Sequence, residues 1–279
     1  MATVDAHQHF WWLAHSAHAW PDAARERMTH DYTPDDLLPE MRKAGVDGTV
    51  LVQVANEVAE TEEFLDLARR YPFIRGVVGW VPLTDPAATE RNLERLGHDG
   101  LLVGIRHLIS FEPDPEWILQ PSVIKSLGIM ARRGIVFDAV PADFKQMEPV
   151  FRMAELVPDL RIAMNHLARP PIVDQGWEPW ATMLKKAASY PNMSLKFSPG
   201  MEIVSRWRWQ TPLVRRYADH IFENFGADRV MAASNWPVSL LSAGYTDIWG
   251  GIVDLVAGLN AGERARILGG TAEQIYRLK

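Results

Sequence analysis

Residues 49–71 read TVLVQVANEVAETEEFLDLARRY: a short β-branched run, then within a few residues a segment of helical periodicity. The run is apolar almost throughout, which suits a strand of a parallel sheet covered on both faces. The same unit recurs along the chain. Further runs stand at TVDAH (3–7), GVVGWV (76–81), LLVGIRH (101–107), GIVFDAV (134–140), LRIAMNH (160–166), MSLKF (193–197) and RVMAAS (229–234). Helical segments lie between them at 33–45, 57–71, 85–97, 122–134, 142–157, 179–190 and 212–226. Thr33-Pro34 reads as a helix start, with the hydroxyl as N-cap, and Gly45 and Gly134 read as helix ends.

Eight β-α units predict closure into a (β/α)8 TIM barrel, with residues 1–279 as a single domain. A doubly wound open sheet is the alternative. It lacks support, because no Gly-x-Gly-x-x-Gly turn follows the first strand and no Walker loop is present.

Composition narrows the function. The chain has 29 Lys plus Arg against 35 Asp plus Glu, a net charge of −6, and no long basic run, which argues against a nucleic-acid partner. With no cysteine, disulfides, thiolate ligands and cysteine nucleophiles are excluded. No apolar run approaches the length of a membrane span and no signal-peptide pattern opens the chain, so the expectation is a cytoplasmic protein acting on a small molecule.

In such a barrel the active site lies at the C-terminal strand ends. Here those ends are polar: His7 and His9, Gln53, Arg106 and His107, Asp138, Asn165 and His166, Lys196 and Ser198, Ser234 and Asn235. His7 and His9 stand at i and i+2 of one strand, so their imidazoles converge on one volume, as a metal ion or a carbonyl would require. His15, His18, His30, His98 and His220 have no such pattern and read as ordinary exposed or packed histidines. Long loops follow some of the same ends, at 10–33, 167–179 and 199–211. They carry Trp11, Trp12, Trp20, Trp177, Trp207 and Trp209, with Arg206 and Arg208 available for an anion. Tryptophan-rich loops serve equally as plugs over the barrel, as walls of a pocket, or as the contact of a homo-oligomer.

VDAHQHFW (4–11), VQVANEVAETEEFLDLA (52–68), GIRH (104–107), NHLARP (165–170), LKFS (195–198) and SNWPV (234–238), in this order, resemble the amidohydrolase superfamily. The resemblance is closest to its sugar-lactonase-like branch, which includes fuconolactonase, rhamnonolactonase and sulfomuconolactone hydrolase. It implies a distorted barrel that opens a lactone, of a sugar or an unsaturated dicarboxylate, by attack of water on the ring carbonyl. Carried onto this chain, it implies that His7, His9 and His166 are catalytic groups or ligands of one divalent metal, with zinc the candidate. Branch members differ in whether they need a metal. It further implies that Gln53, Arg106, His107 and Lys196 face the substrate, and Trp207 and Trp209 are the expected aromatic walls.

One position departs from the pattern. The eighth strand of the branch supplies an aspartate in Ser-Asp-Trp-Pro that activates the water, and this chain has Asn235. A primary amide has no basicity near neutral pH, so Asn235 orients by hydrogen bonds and another group takes the proton. His166 and Asp138 are the candidates for that base. The competing readings are a binding protein that keeps the pocket without turnover and a related metal-dependent decarboxylase.

Overall fold

The computed structural model describes residues 1–14, 27–141, 143–200, 204, 206 and 208–279. Eight parallel strands alternate with helices: β1 (Val4–Gln8), α1 (Pro34–Ala44), β2 (Gly48–Val52), α2 (Val58–Arg70), β3 (Ile74–Gly79), α3 (Pro86–Leu96), β4 (Leu102–Arg106), α4 (Pro121–Arg133), β5 (Val136–Ala139), α5 (Phe144–Leu156), β6 (Ile162–Met164), α6 (Trp180–Ala188), β7 (Met193–Phe197), α7 (Thr211–Phe225), β8 (Val230–Ala232) and α8 (Tyr245–Val256). The strands pair in sequence order, β1 through β8. The last edge is nearly closed onto the first by backbone beyond β8: Asn235 N–H donates to His7 O at 2.8 Å, and His9 N–H to Trp236 O at 2.7 Å.

Every residue of β1, β2, β4, β5 and β7 is buried, which explains why those runs read apolar without alternation. Leu51, Ile105, Phe137 and Leu195 join the large core shared with the helices, while Val4, Ala6, Val50, Val136 and Ala163 cluster with Ala272 and Tyr276 near the C-terminus. The helix ends follow the chemistry of their residues. The Asp36 carboxylate accepts from the Thr33 N–H and hydroxyl at 2.8 and 2.7 Å, and Gly45 and Gly134 end α1 and α4 in the left-handed region at φ 71° and 69°.

Two polar networks hold the strands where the site forms. Asp5 accepts from the Ser234 N–H at 2.9 Å, the Ser234 hydroxyl and the Tyr245 hydroxyl, tying β1 to the end of β8. Burial pushes the Asp5 carboxyl up to about 6 despite these donors. Asp138 of β5 accepts from Lys196 Nζ of β7 and from the Tyr276 hydroxyl, and the Asp138 and Lys196 side chains have no solvent exposure.

Candidate active site

His7, His9, Arg106, His166, Lys196 and Asn235 come from five strand ends and are all buried. The Nε2 atoms of His7 and His9 face each other at 3.1 Å, and the His166 ring centroid lies 4.7 Å from that of His7. The convergence follows from the two-residue period of the extended chain at β1. His166 arrives differently: residues His166–Arg169 form a left-handed turn, with φ between 54° and 57° at all four. L-residues in that conformation cost about 1–2 kcal/mol each. The turn is held by its surroundings: Leu167 is fully buried, and the Trp180 indole N–H donates to its carbonyl at 2.9 Å.

The hydrogen-bond partners set the imidazole tautomers. His9 Nδ1 lies 2.8 Å from Val52 O, which only accepts, so the proton is on Nδ1 and the lone pair on Nε2. His7 Nε2–H then donates to His9 Nε2, which leaves His7 Nδ1 to accept from Lys196 Nζ at 3.3 Å. A polar chain therefore runs from Asp138 through Lys196 and His7 to His9. Burial and the neighbouring Lys196 charge push His7 well below the usual histidine range, and burial with Arg106 and Arg169 does the same to His166. Both are neutral imidazoles at neutral pH.

Gln53 is tied to Arg106. Its carbonyl oxygens, backbone and side-chain, accept from Arg106 Nη2, and its amide N–H2 donates to Arg106 O at 3.2 Å and to Asn56 Oδ1 at 3.1 Å. Its place is therefore to hold the guanidinium, and the arginine is the group left to meet a ligand. Among the described residues Arg106 Nε is buried without a hydrogen-bond partner, and Nη1 lies 3.5 Å from His7 Nε2, donor facing donor. Both nitrogens present hydrogens that a carbonyl oxygen would satisfy. Asn235 is the complementary acceptor: its amide N–H donates to Pro199 O at 2.7 Å, and its buried Oδ1 has no partner among the described residues. Asn235 also has φ 56°, a conformation asparagine tolerates.

Other sequence-expected residues lie elsewhere. His107 is enclosed: the Trp80 indole N–H donates to its Nδ1 at 3.0 Å, its Nε2–H donates to Glu112 at 2.6 Å, and its ring stacks on Trp117 at 4.0 Å. With both nitrogens engaged it braces the fourth strand end. Trp209 stands against Gly251 and Thr211 of the helical shell, and Trp177 packs with Trp180, Tyr217 and His220. Trp207, Trp20, His15 and His18 fall outside the described residues. Asn165 turns its amide toward Ala163 O at 3.0 Å and Asp138 at 3.5 Å.

The reading of the strand ends passed over Asp5 and Tyr276, which carry no motif and are recognisable only by their partners. It also passed over Glu60, whose carboxylate accepts the Val54 and Ala55 N–H groups at 2.9 and 2.8 Å and is pushed up to about 7, chiefly by burial.

A divalent ion would have to be held by His7, His9 and His166. Among the described residues no three His, Asp or Glu side chains form a group able to hold one. The chemistry gives the reason: Lys196 holds His7 in the tautomer whose Nε2 carries a proton, Arg106 stands beside it, and Asn235 offers a neutral amide oxygen where a cation would favour an anionic one. In this arrangement the residues do not fit a dication.

Fold and site together define a (β/α)8-barrel enzyme with a buried histidine cluster at its strand ends. The model of the amidohydrolase family matches residues 4–278, and the chain belongs to that family. It is 32% identical over 281 residues to an L-fucono-1,5-lactonase of Burkholderia ambifaria, covering 99% of this chain and 95% of that one. An L-fucono-1,5-lactonase of Burkholderia multivorans is 28% identical, with 99% and 96% covered. A Burkholderia multivorans amidohydrolase crystallised with bound zinc superposes with a TM-score of 0.90 at 26% identity, over 100% of both chains.

Proposed function

We propose that this chain opens a lactone ring by addition of water at the His7–His9–His166 cluster. The observation that carries the reading is the pairing of groups left unsatisfied among the described residues: buried hydrogens on Arg106 and a buried oxygen on Asn235, both at the mouth that holds the three imidazoles. The similarity to lactonases along nearly the whole chain supports the same chemistry.

The ring carbonyl oxygen accepts from Arg106, so charge developing on it meets a fixed guanidinium in a dry site. Asn235 Oδ1 accepts one hydrogen of the attacking water. With Nδ1–H donated to Ser198 Oγ, 2.9 Å away, His166 has its Nε2 lone pair free to take the other proton. As the tetrahedral adduct collapses, the bond from the carbonyl carbon to the ring oxygen breaks. His166 returns its proton to that oxygen, and a hydroxy acid leaves.

The test is acid release from a panel of sugar lactones and unsaturated dicarboxylate lactones by the wild-type chain and by His166→Gln. The expected result is turnover by the wild type, reduced about 100- to 10,000-fold in the variant. Binding of a lactone without release of acid would support the binding-protein reading instead.

A further inference from the structure

The C-terminal end of the chain enters the barrel from the side opposite the mouth. The short helix Thr271–Tyr276 sets Ala272 and Tyr276 among Val4 and Val136, the first residues of β1 and β5, with Val50 and Ala163. Gly104 of β4 lets the tyrosine ring pass close by: a Cβ there would lie 3.4 Å from Tyr276 Cε1 and 3.0 Å from Val78 Cγ2. Tyr276 is 2% exposed, and its hydroxyl donates to Asp138 Oδ1. We infer that Tyr276 is a positioning residue for the histidine cluster: acting through Asp138 and Lys196, its hydroxyl holds His7 in the tautomer that leaves the Arg106 hydrogens to a substrate carbonyl. The catalytic consequence rests on the lactone-hydrolase reading; the effect on His7 does not.

Contact is the first argument. Tyr276 touches both members of the buried ion pair, Asp138 with its hydroxyl and Lys196 with its ring, whose centroid lies 5.1 Å from Nζ. Lys196 Nζ in turn donates to Asp138 Oδ2 and lies 3.3 Å from His7 Nδ1. The polar chain that ends at His9 therefore begins at Tyr276, and it crosses the barrel from the strand starts to the mouth.

The second is the division of donors. A buried carboxylate needs a hydrogen at each oxygen. With Tyr276 on Oδ1, Lys196 stays on Oδ2 and has a further ammonium hydrogen for His7. Without the hydroxyl, the ammonium is drawn to straddle both oxygens and gives up His7 Nδ1. The third is what His7 then does. Released from Lys196, its ring is free to carry the proton on Nδ1, and Nε2 becomes an acceptor 3.5 Å from Arg106 Nη1. The guanidinium hydrogen is then taken up inside the protein, and a substrate carbonyl loses it.

The experiment is imidazole nitrogen NMR on the full chain labelled with nitrogen-15 at histidine, the His7 signals being assigned by their loss in His7→Asn. The wild type is expected to show His7 protonated at Nε2 and bare at Nδ1. Tyr276→Phe keeps the ring and loses only the hydroxyl; it should move the proton toward Nδ1 and lower kcat for lactone opening about tenfold or more. Leu278→Ala removes apolar packing from the same end of the barrel, against Gly76, and should leave the His7 signals in place. Should Y276F fold poorly, 4-methylphenylalanine at position 276, which fills the hydroxyl's volume without a donor, takes its place. A wild-type His7 protonated at Nδ1, unchanged His7 signals in the variant lacking the donor, or an equal shift in L278A overturns the inference. A shifted tautomer in a protein whose wild type opens no lactone sustains the positioning role and removes the hydrolase reading. Lactone opening with unmoved signals does the reverse.

Discussion

Asn235 donates its amide N–H to the carbonyl of Pro199 at 2.7 Å, where an aspartate would place a second oxygen against the first. Introducing an aspartate at position 235 therefore does not simply introduce a base. In Asn235→Asp the carboxyl is expected to keep its proton, donated to Pro199 O, because burial and the facing carbonyl raise its pKa. A folded pKa above the unfolded value contributes stability below the unfolded value and loses it as pH rises. Denaturant unfolding should show the variant about 1–3 kcal/mol less stable than wild type at pH 8, with the gap closing toward pH 4. A gap independent of pH would show that the aspartate has rotated away from Pro199.

The Asp138–Lys196 pair carries no exposed surface, so removing one member strands the other. Lys196→Met is expected to cost about 3–5 kcal/mol, and Lys196→Met with Asp138→Asn less than the single change. Urea unfolding of the two variants checks this ordering. If the double variant is the less stable, Asp138 is held chiefly by Tyr276.

Glu60 is pushed up to about 7 and Asp5 to about 6, both first by burial. Each acid has its raised pKa in the folded state, so each adds stability below its unfolded value and gives it up as pH rises through the folded one. Stability should fall between about pH 4 and pH 7 from these groups, and Glu60→Gln should flatten the upper part of that slope. Melting temperatures across that range, measured side by side, are sufficient; identical slopes would remove Glu60 as the cause.

Ser198 touches His166, and in the proposed mechanism it acts through that imidazole. Ser198→Ala should lower kcat about tenfold or more with little change in KM and displace the pH–rate profile, while Ser198→Thr should recover most of the loss. An unchanged profile with a raised KM would place Ser198 against the substrate instead.

His107 was expected from the sequence to face the substrate, and its neighbours assign it to bracing. His107→Leu breaks bonds to Trp80 and Glu112 and leaves the part-buried Trp80 indole N–H without its acceptor. A loss of about 1–3 kcal/mol in stability is expected, with KM within about twofold of wild type. A large rise in KM at unchanged stability would return His107 to the binding site.

Most of the barrel was legible in the order of residues. All eight strands overlap the apolar runs and seven helices fall on the expected segments, because doubly covered strands need continuous apolar sequence and helices need a 3.6-residue period; α8 (Tyr245–Val256) is not among those segments. The polar strand ends were legible for the same reason: in a closed parallel barrel they meet at one mouth, so His7, Arg106, His166, Lys196 and Asn235 could be grouped before any coordinate was known.

The partners of those groups could not. Nothing in the residue types says that Gln53 holds Arg106, that Lys196 sets the tautomer of His7, or that His107 and Trp209 turn to the frame. Each depends on which way a side chain points across neighbours distant in sequence, as with Lys196 and His7, 189 residues apart. The left-handed turn at His166–Arg169 was equally hidden, since no glycine marks it and only tertiary contacts hold L-residues there. Local periodicity and residue chemistry determined the barrel and its polar mouth; the directions of hydrogen bonds, and with them the role of each side chain, were decided by long-range packing.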